Sequence, residues 1–317
     1  MKKFIFFLIL SVFVFAKILV VNSYSTNDQC GIPQLQGFLS VMYQNGYQPN
    51  DFELVFLNAR QTPKKELLKK AQNILKNISK YKYIVTFDDA AFKLVGIPAS
   101  KKNKWVYFSG MNYPYDLYEK NFNLPKNIAG IYEKLYIKKN LEIFNKIEPI
   151  SKIAFFYSEG VGKILKLQTQ MELKNSVFEK KVDYIKVNTL NELKEKTKKI
   201  NDNLKYTLFI PFAMSLKKGD KKISFVKFKD IYLQNIKKPD ISINMFFVKL
   251  GFLGFGGVDF YKMGMQLGKL IIKHSRTHII EIAKDSYFFI NAKRAKEIHF
   301  ILPEWFIKNY VKVIVND

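Results

Sequence analysis

Cysteine is almost missing from this 317-residue chain: Cys30 stands alone, so no disulfide can form within it. At a loop–helix junction it reads as a small residue, not as a nucleophile. Histidine is nearly as scarce, with only His274, His278 and His299. His274 and His278 are four apart, yet no glutamate adjoins them as in a zinc-protease helix, and no Ser–His–Asp set can be assembled. Arginine is the third shortage. Of 52 basic residues only Arg60, Arg276 and Arg294 are arginine, and the net charge of +25 is carried by lysines spread along the chain. Arginine is the residue favoured for bidentate recognition of bases and phosphates, so dispersed lysine reads as solvated helix faces and a nucleic-acid partner is not expected. After the first sixteen residues no apolar run approaches the roughly 20 residues that cross a bilayer. Pro/Ser-rich linkers and internal repeats are missing too.

The N-terminus carries a clear pattern. Met1-Lys2-Lys3 is followed by an apolar run over residues 4–15 and then Ala16. Positive start, short apolar core and small boundary residue describe a secretory signal cleaved after Ala16, which predicts a periplasmic mature protein beginning at Lys17.

From there apolar runs of strand length alternate with helical spacing. Residues 17–23, 52–58, 83–87 and 104–112 read as strands, and residues 63–80 as an amphipathic helix with Leu67, Leu68, Ala71, Ile74, Leu75 and Ile78 on one face. A short strand at 127–133 leads into a helix at 134–146. A second series follows, with strands at 152–158, 182–187, 206–211, 241–244, 287–290 and 311–315. Its helices lie at 162–174, near Thr189 and at 258–273, the last preceded by a glycine-rich turn at 251–257. Such alternation predicts an α/β fold of doubly wound parallel sheets, and the length predicts two lobes joined by short connections near 127–133 and 244–251.

In open parallel sheets ligands sit beyond the carboxyl ends of the strands. Asp88, Asp89, Ser109 and Asn112 fall at such ends. Asp88 and Asp89 also open a helix, where carboxylates cap free N–H groups. One of the pair is expected to cap (Asp88) and the other to face a ligand (Asp89). Being adjacent, the two do not flank a scissile bond, so acid–base catalysis is not suggested. Gly254-Phe255-Gly256-Gly257-Val258-Asp259 imitates a dinucleotide fingerprint, but Asp259 stands where the third glycine belongs. Gly160-Val161-Gly162-Lys163 lacks the spacing of a phosphate loop. Neither a cofactor nor a metal is expected, and the chain is not expected to be an enzyme.

Several pieces, taken in order, carry a resemblance. They are Asn22-Ser23-Tyr24, Asp88-Asp89-x-Ala91, the Phe108–Asn112 run Phe-Ser-Gly-Met-Asn, and Asn-Ile-Ala-Gly-Ile-Tyr-Glu at 127–133. Gly256-Gly257, Gln266-x-Gly268 and the stretch from Phe288 to Pro303 continue it. Together they resemble the extracytoplasmic substrate-binding proteins of ABC importers with a periplasmic-binding type I fold, in the branch that includes tryptophan- and tyrosine-linked binding proteins. The resemblance implies two doubly wound lobes with an interlobe cleft: residues 17–132 plus about 251–285, and residues 133–250 plus about 286–317. It implies a monomer that closes on a small solute, an aromatic or apolar amino acid, and delivers it to an ABC permease. A similar module senses ligands for membrane histidine kinases, which is the alternative; a small exported hydrolase ranks behind both.

Ligand contacts implied by the resemblance are Ser23, Tyr24, Asp88, Asp89, Ser109, Gly110 and Asn112 from the first lobe, with Tyr157, Ser158, Phe212 and Met214 from the second. A carboxylate pair suits an ammonium group, and Tyr24, Phe87, Tyr113, Tyr115, Tyr157 and Phe212 near strand ends could sandwich a ring. Two departures stand out. Where this branch often carries His, Pro and Trp after Ser23-Tyr24, this chain has Ser25-Thr26-Asn27-Asp28-Gln29-Cys30, and the lysine-rich segment 215–238 matches nothing in the family.

Overall fold

A computed structural model describes residues 17–219 and 221–316. The expected signal, residues 1–16, lies outside the described residues. In chain order the first strands and helices are β1 (Ile18–Asn22), α1 (Gly31–Gln44), β2 (Phe52–Phe56), α2 (Lys64–Lys76) and β3 (Ile84–Phe87). Next come α3 (Asp88–Ala91) and α4 (Ile97–Ser100), joined by a π turn, then β4 (Val106–Met111), α5 (Tyr115–Phe122) and β5 (Ile128–Tyr132). The middle of the chain forms α6 (Ile137–Ile147), β6 (Lys152–Tyr157), α7 (Val161–Leu173), β7 (Val182–Lys186), α8 (Leu190–Asp202) and β8 (Tyr206–Phe212). A hairpin of β9 (Ser215–Lys218) and β10 (Lys221–Ser224) leads to α9 (Lys229–Asn235) and α10 (Met245–Lys249). The rest is β11 (Gly254–Val258), α11 (Phe260–Lys273), β12 (Ile280–Ile282), β13 (Ser286–Asn291), α12 (Ala292–Glu297), α13 (Glu304–Tyr310) and β14 (Val311–Val315).

Every residue of β1 is buried, because it lies inside a parallel sheet covered on both faces. The sheet runs β12-β5-β4-β3-β1-β2, parallel throughout. Ile18 and Val20 point to one core with Phe38, Val85 and Leu267; Leu19 and Val21 point to the other with Ala71, Ile84 and Phe92. That alternation is the period of two dictated by the pleat. Covering the first face takes α11, from late in the chain, packed tightly on α1. A Cβ at Gly264 would lie 2.0 Å from the Gln34 carbonyl oxygen, and one at Gly37 would lie 1.9 Å from that of Tyr261. Gly264→Ala therefore forces two helices apart and is expected to cost about 1–3 kcal/mol, the range for an overpacked core. A urea midpoint equal to that of the parent would refute this.

The second lobe is built on β7-β6-β8, all parallel, and on β11-β13-β14, in which β11 and β13 are antiparallel. Residues 239–243 join these two sheets. The Ile241 N–H donates to Phe209 O (3.0 Å) on β8, and the Ser242 N–H donates to Gly254 O (3.2 Å) on β11. The strand expected at 241–244 is thus a short row of bridges.

The glycine-rich segment expected to be a turn is largely strand β11, buried along its whole length. Its glycines answer a close approach: a Cβ on Gly257 would sit 1.7 Å from the Ile243 carbonyl oxygen. Phe252, Leu253 and Phe255 pack in the second core, so residues 251–257 lie with the second lobe and not, as expected, with the first, whereas Val258 packs in the first-lobe core. The chain passes between lobes after β5, at Asp259 and at 283–285, and the Asp259 N–H donates to Asp285 O (3.0 Å) between two of these passages. The second connection expected near 244–251 is instead α10, inside the second lobe. The lysine-rich segment 215–238 is held by Phe225, Phe228 and Tyr232, which are buried in the same core.

Candidate functional site

At the end of β1, Ser23 is buried and bonded twice. Its hydroxyl donates to Phe87 O (2.7 Å) and accepts from the Ala91 N–H (2.8 Å), so the first turn of α3 is capped from a neighbouring strand. Asp88 adopts φ +71°, in the left-handed region that few side chains tolerate. Its Oδ1 accepts from the Asp89 N–H (2.6 Å), and its Oδ2 accepts from the Tyr24 hydroxyl. Asp89 faces elsewhere. Its two oxygens accept from the N–H groups of Asn112 (3.0 Å) and Tyr113 (3.2 Å) and from the Tyr118 hydroxyl (2.8 Å). That carboxylate fastens the start of α3 to the loop between β4 and α5.

Between the lobes these strand ends enclose a cavity of about 330 Å³, within the range for small-molecule sites. Its first-lobe side carries the polar residues Ser23, Tyr24, Arg60, Asp88, Asp89 and Asn112, beside Cys30, Ala59, Ala90 and Phe260. Its second-lobe side is mostly apolar: Val161, Ile164, Leu165, Met214, Ile243 and Phe247, with Asn244 beside them. Glu133, on the passage after β5, lines the cavity as well. Lys249 of α10 bridges the lobes by donating to Gln29 Oε1 (2.7 Å).

Three carboxyl groups share this space, and burial dominates all of them. Burial and the neighbouring Asp89 push the Asp88 carboxyl up to about 7. Burial, then Asp88 and Asp89, push Glu133 well above the usual carboxylate range. Asp89 is raised too, by burial, against the hydrogen bonds from Tyr118, Asn112 and Tyr113. Glu133 is 5% exposed and accepts a single weak bond, from Asn112 Nδ2 at 3.4 Å. The one cation in the wall, Arg60, is already engaged: it pairs with Asp28 (3.0 Å) and lies over the Tyr24 ring at 4.3 Å. Among the described residues no group of three or more His, Cys, Asp or Glu side chains could hold a metal ion. The cavity thus sets buried carboxyl groups against an apolar wall.

The family model for ABC transporter substrate binding proteins matches residues 32–314. The chain belongs to that family. No curated protein matches the sequence significantly. Among solved structures this substrate-binding protein is similar to an ABC domain from Streptococcus pneumonia in complex with L-Trp. The TM-score there is 0.68 at 16% identity, over 95% of this chain and 99% of the other. It is also similar to a substrate binding protein with adhesive properties from Clostridium difficile, in its ligand-free, open form. That match has TM-score 0.66 at 15% identity, over 96% of this chain and all of the other (100%). At such identities the likeness shows the fold, which is that of the type I periplasmic-binding proteins. Membership implies a small-molecule ligand and an ABC permease as partner. No helix of the described residues is long and apolar enough to cross a membrane.

Of the residues expected to contact ligand, this substrate-binding protein brings Ser23, Tyr24, Asp88, Asp89, Asn112 and Met214 to the cavity. Ser109 and Gly110 stay within β4, which runs on to Met111, and Gly110 packs against the Gln34 side chain. Tyr157 lies under the Lys166 ammonium (4.5 Å), and Ser158 accepts from the Ser215 N–H (3.2 Å) in a separate recess. Phe212 is wholly inside the second core, beside Phe155 at 5.3 Å. The expected aromatic sandwich does not form. Phe87 is core, Tyr113 edges onto Tyr118 (4.8 Å) and Tyr115 stacks on Phe108 (5.6 Å); besides Tyr24, the cavity's rings are Phe247 and Phe260.

Asp88, expected to cap α3, accepts the Asp89 N–H at its start, while Ser23 accepts that of Ala91; Asp89, expected to face the ligand, lines the cavity with its oxygens holding the N–H groups of Asn112 and Tyr113 and the Tyr118 hydroxyl. Glu133 was missed, although it stands at the carboxyl end of β5 just as Asp88 stands at the end of β3. Cys30, half-buried, lines the cavity from the N-cap of α1, and desolvation pushes its thiol well up, which favours the protonated form.

Proposed function

We propose that the protein is the extracytoplasmic receptor of an ABC importer. It captures a small solute with an ammonium group and an apolar body, the class to which apolar and aromatic amino acids belong, and hands it to the permease. The observation that carries this reading is the division of the cavity, with carboxyl groups on the first-lobe side and an apolar wall on the second. A solute bridging the two sides makes its full set of contacts only when the lobes are together, so its differential affinity drives closure. The bound L-Trp of the Streptococcus pneumonia structure has this chemistry.

Mass spectrometry of small molecules released on denaturing freshly purified protein is expected to find such a solute. Adding it back at about 100 times its Kd is expected to raise stability by about 2.7 kcal/mol, because it binds only the folded state. Scattering should show a fall in radius of gyration alongside. A released solute with no basic nitrogen, or a stabilisation that survives Phe247→Asp in the apolar wall, would overturn the reading.

A further inference from the structure

We infer that Asp88 and Glu133 together form a cation subsite that selects solutes of net positive charge, so that amines without a carboxyl group are preferred to the corresponding zwitterionic amino acids. The inference rests on the reading of this cavity as the solute site and narrows it to one chemical class.

Asp89 has the least capacity left, since two backbone N–H groups and the Tyr118 hydroxyl take three of the roughly four bonds its oxygens can accept. Asp88 retains capacity, having one N–H and one hydroxyl on two oxygens that can accept about four bonds. Glu133 has the most, with a single 3.4 Å bond from Asn112 in a position 5% exposed. An uncompensated carboxyl in such a place requires either a proton or a cationic partner. A ligand ammonium placed between them supplies three donors to two acceptor groups.

A ligand carboxylate finds no such welcome. Arg60 is held by Asp28 and by the Tyr24 ring. The second-lobe wall offers no lysine or arginine, and α7 contributes Val161, Ile164 and Leu165 to it. A ligand carboxylate would therefore add negative charge beside three carboxyl groups whose one neighbouring cation is paired with Asp28, and each of them that is ionised repels it. An amine lacking that group avoids the repulsion and leaves its apolar body for Met214, Ile243 and Phe247.

Titration calorimetry with matched pairs tests this: phenethylamine against phenylalanine, tryptamine against tryptophan, and isoamylamine against leucine. Each amine is expected to bind about tenfold or more tightly than its amino acid. Glu133→Gln should weaken the amine by about tenfold or more and shrink the gap within each pair, while Glu133→Asp, which keeps the charge, recovers part of the loss. Because the cation replaces a proton, amine affinity should also fall as pH drops from about 8 to about 5.5, by up to tenfold per unit for one proton displaced. The groups facing the pair are Asp89, Tyr24, Cys30 and Arg60 with its partner Asp28; burial pushes the Tyr24 hydroxyl and the Cys30 thiol up, so neither ionises in that window. Amino acids binding as tightly as the amines would overturn the charge selection while leaving the proposed solute site standing. Amine binding indifferent to Glu133→Gln would overturn the subsite. Failure of every pair to bind would overturn both the inference and the function it rests on.

Discussion

Asp89→Ala is expected to lower folding stability by about 3 kcal/mol or more, and Asp88→Asn is expected to raise it at neutral pH while weakening ligand binding about a hundredfold. Removing the Asp89 carboxylate orphans the N–H groups of Asn112 and Tyr113 and the Tyr118 hydroxyl together. Each buried donor left unsatisfied costs about 1–3 kcal/mol, and the loop between β4 and α5 loses its tie to α3. Asp88 is the opposite case. Its left-handed backbone suits asparagine nearly as well as aspartate, and its ionised form is the one that burial disfavours. An amide there relieves that cost. It also withdraws a charge from the bound ammonium, and truncating one side of a buried charged contact costs about 2–5 kcal/mol of binding. Urea denaturation and calorimetry on the two variants separate the roles. Equal loss of stability in both, or full affinity in Asp88→Asn, would sink the assignment.

The difference between these neighbours explains how far the sequence could be read. The buried strands β1, β3 and β4 announce themselves as continuous apolar runs, and α2 and α11 by their spacing, because those patterns are local. The strand-end rule likewise finds the Asp88–Asp89 pair without any structure. Which of the two keeps acceptor capacity toward the cavity depends on Tyr118 on α5 and on a left-handed φ, neither of which leaves a trace near residues 88–89. β11 was unreadable for a related reason. Its glycines make room for the backbone of Ile243, and in the sequence a close approach looks the same as a turn. Ser109 and Gly110 missed the cavity because β4 runs to Met111 before its edge is reached. On the second lobe the ligand wall is ordinary Val, Ile, Leu and Phe, which no residue-type argument distinguishes from core.

Without ligand, the protein is expected to be more stable near pH 5 than near pH 8, the reverse of a protein held by ordinary surface ion pairs. The sign follows from the buried carboxyls. Asp88 is pushed up to about 7 by burial and Asp89, Asp240 to about 6 by burial, and Glu133 is raised by burial and its acidic neighbours. An unfolded chain releases these protons near pH 4, so above that pH the folded state holds protons that the unfolded state has lost. Their contribution is whole below the unfolded pKa and disappears as pH rises through the folded one. Glu53 and Asp183 are lowered, Glu53 first by its hydrogen bond from Tyr81 and Asp183 by Lys152 and Tyr206 against its desolvation, and they act with the opposite sign. Their window lies below about pH 4.5 and leaves the interval from 5 to 8 to the buried groups. Self-repulsion of the lysine charge changes little across that interval, because lysines stay protonated throughout it. Asp88→Asn should flatten much of the slope, and a bound amine should flatten it further by taking the place of the proton. Denaturation midpoints that rise or stay level from pH 5 to pH 8 in the ligand-free protein would show that these carboxyls are ionised in the folded state, and the cavity would then need a cation of its own.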